Sequence, residues 1–587
     1  MKKMFKFLKY LKPYCFFVLL TLIFVVIEAQ FELKLPEYIS QVMYSVMGYT
    51  EDAQGKEVME LKLLIPIMIL ISLAACASAV LSAFFSAKAG AGMARDMRKK
   101  VFAKVQDFSM EEIEMFSTGS LITRSTNDIN QVQMTVIMAL KFLIKCPAMA
   151  ITAIIKVVRI SPTISGVIGL GVLVLIGTII IIFAIVIPRF AVLQKCTDNF
   201  NKMGREELTG IRVIRAYNAE DYEKEKYEVV NDKNYNNMKA IDYTMGLVNP
   251  LLTILMNGLI VVIMLVAAAL IKDMKFTDAA KLSEFFGYTM HIVMSFMFLT
   301  VVFILIPRGA VSARRINEVL DTETKIKDKD ETINPDRIGT IEFNDVSFKY
   351  PDGSDYVLNN ISFKANKGET VAFIGSTGSG KSTVVNLIPR FYDVSSGSVL
   401  VDGVDVKDFS QHELRDRIGF IPQKGVLFSG TIKDNIDFAG KNVSDDIIKK
   451  SAEIAQASEF IETKDEKYDY RISQGGQNVS GGQKQRLAIA RALAKESEIY
   501  IFDDTFSALD FKTDKKLRKA LKKEMKDATC LIVAQRIGTI MDADKIIVLD
   551  EGKIVGMGKH KELLKSCDVY KEIALSQLSE EEINNAA

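Results

Sequence analysis

Two stretches of this sequence carry the residue types that phosphate chemistry needs. In "VAFIGSTGSGKSTVVNLI" an apolar run leads into Gly375-Ser376-Thr377-Gly378-Ser379-Gly380-Lys381-Ser382-Thr383 and then into a helical pattern. The glycines let backbone N–H groups turn inward as an anion nest at a helix start. Lys381 is placed to reach a nucleotide's terminal phosphates and Ser382 to ligate Mg²⁺. In "EIYIFDDTFSALD" a second apolar strand closes on Asp503 and Asp504. An aspartate at a strand end is ordinarily a turn residue, but behind a phosphate loop Asp503 reads as the partner of the magnesium ion. Gln423, in "GFIPQKGVLFSGTI", offers a side-chain oxygen to the same metal. Tyr350, in "FKYPDG", offers a ring for an adenine, although an exposed edge tyrosine is the plainer reading of such a residue alone.

A third stretch is "QNVSGGQKQRLAIARAL", where Ser480-Gly481-Gly482-Gln483 opens another helix and bares its first amides. That is a second anion site. One chain cannot easily use both sites on one nucleotide, whereas two such domains facing head to tail can. ATP and Mg²⁺ are therefore the expected cofactors.

The elements that position these residues fall into two classes. A chain of 587 residues is too long for one core. Its first half repeats apolar runs of membrane-spanning length, centred on 16–29, 64–83, 136–158, 167–187, 251–271 and 290–306. Each is, or with its flanks becomes, ~20 residues long, enough to cross a bilayer. The expected fold is thus multi-domain: a six-helix all-α transmembrane domain over 1–325, a polar linker over 326–340, and an α/β P-loop ATPase domain over 341–587. The basic start "MKKMFKFLKYLKPY" precedes a run that continues to "EAQFELKLP" without a cleavage site, so a retained first span is expected.

Lysines Lys2, Lys3, Lys6, Lys9 and Lys12 precede the first span, and Lys88, Arg95, Arg98, Lys99, Lys100 and Lys104 follow the second. The loop after the first span is acidic, with Glu51, Asp52, Glu57 and Glu60. The positive-inside rule then puts both termini and both long loops in the cytoplasm of a plasma membrane, in a cell expected to be bacterial. Those loops, 88–134 and 188–243, repeat apolar residues at helical spacing and read as helices that carry force to the soluble domain. The acidic end "SEEEINNAA" reads as poorly ordered. A net charge of +2 offers no basic stripe for a nucleic acid. Six scattered cysteines and three histidines suggest neither a disulfide framework nor a histidine-rich metal site.

Taken in order, GSTGSGKST, PQ, VSGGQKQRLAIARA, IYIFDD and SALD resemble the nucleotide-binding domain of ABC transporters. With six spans ahead of it, the chain is similar to a half-size ABC exporter of the multidrug type. "STGSLITRSTNDINQVQ" and "LTGIRVIRAYNAE" in the cytoplasmic loops extend the resemblance over nearly the whole length. The resemblance implies that two halves dimerise around two ATP molecules, each site joining one chain's phosphate loop to the other's Ser480–Gln483 segment, with Asp510 in the SALD turn beside it.

Two departures from the family pattern coincide. Asp504 occupies the position of the catalytic glutamate, and Gln535, in "CLIVAQRIGTI", that of the switch histidine. The resemblance then implies a subunit with a weakened site of its own, whose VSGGQ completes a competent site on a different partner half-transporter. The alternatives are a homodimer with two slow sites and an ATP-gated regulatory or channel-like membrane protein. An importer is disfavoured, because membrane half and ATPase are fused in one chain. For cargo, Met256, Met264, Met290, Met294 and Met297 in the last two spans suit pliable apolar surfaces, pointing to hydrophobic or amphipathic compounds such as drugs or lipids. Glu28 lies late in the first span, and Lys141 and Lys145, on one face of the third, are expected to snorkel to the headgroups.

Overall fold

The computed structural model describes residues 4–51, 57–272, 280–351, 353–439 and 443–577. Lys2, Lys3, Asp52 and the acidic end over 579–587 lie outside them. The chain divides into two compact units, Met1–Gln106 with Gly119–Thr322, and Asp107–Thr118 with Glu323–Ala587.

The described residues of the first unit are mainly helical. Among the described residues six helical stretches are long and apolar enough to cross a membrane, and each of the six expected runs falls inside one of them. The helices overrun the bilayer: Leu61–Gln106, Pro162–Ala216 and Leu282–Asp321 hold 46, 55 and 40 residues. At ~1.5 Å per residue, the longest spans more than twice a ~30 Å hydrocarbon layer. The long loops are thus continuations of the spans, as their helical spacing predicts. Leu33, Ala153, Val157, Ile164, Ile263 and Phe285 belong to one apolar core shared by five of the spans.

The charges inside this unit correct one expectation. Lys145 does not snorkel; its Nζ lies 2.5 Å from Glu28 Oε1 and 3.0 Å from Glu32 Oε1. Ser82 Oγ donates to the other Glu28 oxygen at 3.3 Å. The first and third spans pack against one another, which brings the acids of the neighbouring helix within reach of the ammonium. Further along, Lys156 pairs with Glu37, whose carboxylate also accepts from Tyr288 Oη at 3.1 Å.

The second unit is built on two larger sheets and a two-stranded ribbon, Gly430–Thr431 with Arg471–Ile472. The larger has the order Lys553–Gly558, Lys545–Asp550, Thr370–Gly375, Thr529–Val533, Ile499–Asp503, Ile418–Ile421, parallel except for its first strand. Strands covered on both faces should read as unbroken apolar runs, and Ile499–Asp503 is buried at every residue. The Thr529–Val533 strand pairs with both neighbours, Val533 opposite Phe373 on one side and Asp503 on the other. This register sets the ends of three strands side by side at the carboxyl edge of the sheet, where ligands of open α/β sheets bind. An antiparallel sheet, Leu358–Ala365, Ile341–Phe348, Ser396–Val401 and Val404–Asp405, completes the fold. A helical part with its own core includes the helix Gly481–Leu493.

Two segments are gathered onto this unit. The stretch before Ile341 is pinned by a buried pair, Arg417 Nη1 to Asp402 Oδ2 at 2.7 Å. Asp402 Oδ1 also accepts from the amides of Gly339 and Thr340 at 2.6 and 2.8 Å, while Arg417 donates to the Pro335 carbonyl at 2.5 Å. The short helix Met110–Phe116 opens with a capping box, in which Glu112 Oε2 accepts from the Ser109 amide at 2.7 Å. Glu111 pairs with Lys325, and Glu112 Oε1 accepts from the Lys325 amide at 3.2 Å.

Candidate functional site

The phosphate loop is shaped by where it cannot carry side chains. At Gly375, with φ +153°, a Cβ would sit 2.0 Å from the Leu549 carbonyl oxygen; at Gly380, with φ +95°, it would strike Leu358 Cδ2 at 2.6 Å. Glycine alone fits this cradle without shifting the strand beside it. The helix Lys381–Leu387 follows directly. Lys381 folds back over the loop, its Nζ donating to the Gly375 and Ser376 carbonyls at 2.9 and 2.7 Å. Burial pulls this ammonium below the ordinary lysine range, while Asp504 and Asp503 act against the shift.

Ser382 Oγ donates to Asp503 Oδ1 at 2.7 Å. Burial pushes the Asp503 carboxyl above its usual range, a shift the Ser382 hydroxyl partly offsets. A hydroxyl and a carboxylate gathered at one point, beside a glycine cradle, form the hard-oxygen donor set that Mg²⁺ takes. The residues present therefore fit a magnesium nucleotide: loop amides and Lys381 for phosphates, Ser382 and Asp503 for the ion.

Asp504 is held differently. Its backbone adopts the left-handed conformation at φ 47°, ψ 30°, and its amide donates to the Val533 carbonyl at 3.0 Å. Its side chain is buried, and Oδ2 accepts from two neutral amides, Gln535 Nε2 at 2.9 Å and Gln423 Nε2 at 3.2 Å. The structure thus brings Gln423, expected beside the metal, onto Asp504 together with Gln535. The Gln423 loop is tied in turn to the helix Gly481–Leu493: Gln485 Oε1 accepts from the Gly425 amide at 3.0 Å and its Nε2 donates to the Pro422 carbonyl at 3.2 Å. Sequence reasoning missed Gln485. It stands in plain view in "GGQKQR", but nothing in the string signals a partner about sixty residues earlier.

Tyr350 sets its ring edge-on to Phe348 and Tyr392, with centroids 4.9 and 5.2 Å away, and shares a hydrogen bond of 3.1 Å with Thr383 Oγ1. The expected base-stacking residue therefore touches the phosphate-loop helix. The remaining candidates form separate caps. Ser480 Oγ accepts from the Gln483 amide at 3.3 Å and Gln483 Oε1 from the Ser480 amide at 3.0 Å. Ser480 and Gly481 are exposed, with open space beside Gly481 and the Ala508 carbonyl oxygen 3.4 Å from a Cβ on Gly482. Asp510 caps the helix Phe511–Glu524 by accepting from the Thr513 amide at 2.9 Å.

Comparison with known proteins agrees with this geometry. The model of the ABC transporter transmembrane region matches residues 18–293 and that of the ABC transporter residues 358–507. An uncharacterized ABC transporter ATP-binding protein of Mycobacterium tuberculosis is 37% identical over 504 residues, covering 85% of this chain and 86% of the relative. The chain belongs to the ABC transporters. The uncharacterized ABC transporter ATP-binding protein YfiB of Bacillus subtilis is 34% identical over 98% of this chain and 99% of its own length. An ATP-dependent lipid A-core flippase of Aliivibrio fischeri is 33% identical over 81% of this chain and 82% of its own. The solved structure of a bacterial Atm1-family ABC exporter with ATP bound shares the fold, with a TM-score of 0.78 over 96% of this chain and 98% of that one, at 23% identity. This ABC transporter carries a multi-pass membrane region and an ATP-binding domain in one chain.

Proposed function

We propose that this chain is the attenuated half of a two-subunit ABC exporter. On this reading it moves hydrophobic or amphipathic compounds outward, and its exposed Ser480–Gln483 segment completes the working ATPase site on a different partner subunit. The observation that carries this is the double amide grip on Asp504. A general base must present a free carboxylate oxygen to the attacking water. Aspartate withdraws that oxygen by about one C–C bond relative to glutamate, and ~1 Å of misplacement costs on the order of 10²-fold in rate. Here Gln423 and Gln535 both hold one of its two oxygens, Oδ2, which fixes the direction in which the carboxylate points, and a glutamine offers no titratable ring nitrogen. Lys381 and the loop amides would still hold the phosphates, and Ser382 and Asp503 would still hold Mg²⁺, which would supply charge to offset that of the phosphates. Binding is retained and turnover is not.

The intact capping box at Ser480 supports service to a partner. The distribution of lysines supports cytoplasmic termini. Relatives named as lipid A-core flippases and the methionine-rich last spans support an amphipathic or lipidic cargo.

The test is steady-state ATPase activity of this chain alone in lipid, beside Asp504→Glu/Gln535→His. The expected outcome is a near-silent natural chain and a gain on the order of 10²-fold in the double variant. Brisk hydrolysis by the natural chain alone would overturn the attenuated site and with it the need for a different partner subunit. In the assembled pair, Ser480→Arg should abolish hydrolysis; activity that survives it would sink the shared-site arrangement.

A further inference from the structure

Within the second unit a continuous set of contacts runs from the cytoplasmic helix Met110–Phe116 to the phosphate loop. Glu114 Oε1 accepts from Tyr392 Oη at 2.9 Å, across 278 residues of sequence. The Tyr392 ring is buried and meets the Tyr350 ring edge-on at 5.2 Å, and Phe348 closes the cluster at 4.9 Å from Tyr350 and 5.7 Å from Tyr392. Tyr350 then bonds Thr383, two residues after Lys381. Edge-to-face ring pairs are directional, so tilting one ring re-aims the other. Burial and the Glu114 carboxylate both push the Tyr392 hydroxyl up, keeping it a donor at any working pH.

We infer that Tyr392 is a positioning residue for the nucleotide: tethered by Glu114, it sets the tilt of Tyr350, so that holding the base and seating the helix Met110–Phe116 favour one another. This rests on the reading of Tyr350 as the platform for the base. Such a coupling is reciprocal: what the helix contributes to nucleotide affinity, the nucleotide returns to the seating of the helix. It is also selective, because only ligands with a base use the Tyr350 face.

The test uses the full chain in lipid nanodiscs, with MgATP and magnesium tripolyphosphate as probes. Tyr392→Phe removes the hydroxyl and keeps the ring, and Glu114→Ala removes its acceptor. Each is expected to weaken ATP binding by about five-fold, the double variant by no more than either alone, and tripolyphosphate binding is expected to stay unchanged. Addition of ATP should slow amide exchange over 110–116 in the natural chain but not in Tyr392→Phe. Equal weakening of both probes would mark Tyr392 as structural only, and unchanged ATP affinity in both variants would mark the tether as idle; either outcome overturns the proposal. Tyr350→Ala separates the two layers. If it leaves ATP affinity intact, the platform reading has failed; if it weakens ATP while Tyr392→Phe does not, the tether alone has failed.

Discussion

Glu28 in the membrane unit and Asp504 in the ATPase unit are buried to the same degree, each 6% exposed, yet they are held by opposite means. Glu28 faces an ammonium at 2.5 Å and a hydroxyl at 3.3 Å. Asp504 faces two neutral amides at 2.9 and 3.2 Å. Hydrocarbon offers no alternative solvation, so an acid there persists only with a counter-charge drawn from another helix. At the edge of a sheet, dipoles from two loops suffice to fix a carboxylate. The first arrangement secures packing between spans; the second fixes an orientation.

The largest expected effect breaks the first arrangement. Lys145→Met leaves Glu28 and Glu32 without their cation and should destabilise the protein by about 3–5 kcal/mol, read as a lowered unfolding temperature in lipid. Asp504→Asn, which removes a charge whose hydrogen-bond partners are neutral amides, should cost far less. Equal losses would erase the distinction. The second prediction concerns the acid beside Asp504. Folding raises the Asp503 carboxyl above its ordinary range, chiefly by burial. Its contribution to stability is therefore present at low pH and lost as pH rises from the ordinary carboxylate value through the raised one. At neutral pH without nucleotide, Asp503→Asn should raise the unfolding temperature while abolishing the further rise given by MgATP. A fall in the nucleotide-free chain would contradict the sign. The smallest effect is at Ser82: its bond to Glu28 is long, and Ser82→Ala should cost only about 0.5 kcal/mol, a shift of a degree or less. A loss comparable to that of Lys145→Met would mean the hydroxyl, and not the ammonium, secures the acid.

What was legible in the sequence was local. The phosphate loop, the strand closing on Asp503 and the cap at Ser480 are written in consecutive residues, because each is built from one strand end or one helix start. The spans were legible because hydrocarbon filters composition over ~20 residues. The partner of Lys145 was not, since composition says nothing about how a helix is rotated. Nor was the meeting of Gln423 and Gln535 on one carboxylate, which lie 81 and 31 residues from Asp504 and are joined only by strand order. Tyr350 was legible as an aromatic near the site, but its ring neighbour Tyr392 comes from another part of the chain.

The helix Met110–Phe116 is coded in the first fifth of the chain and folded into the part coded last. On a ribosome it emerges 278 residues ahead of Tyr392, its partner through Glu114. At about 5–20 residues per second, it waits on the order of tens of seconds for the surface it seats on. Through that interval a seven-residue helix is marginal by itself, and its capping box lessens what the surface must later supply. Synthesis thus has a fixed order here: the helix is made early, and the ATPase-domain surface that seats it is made late.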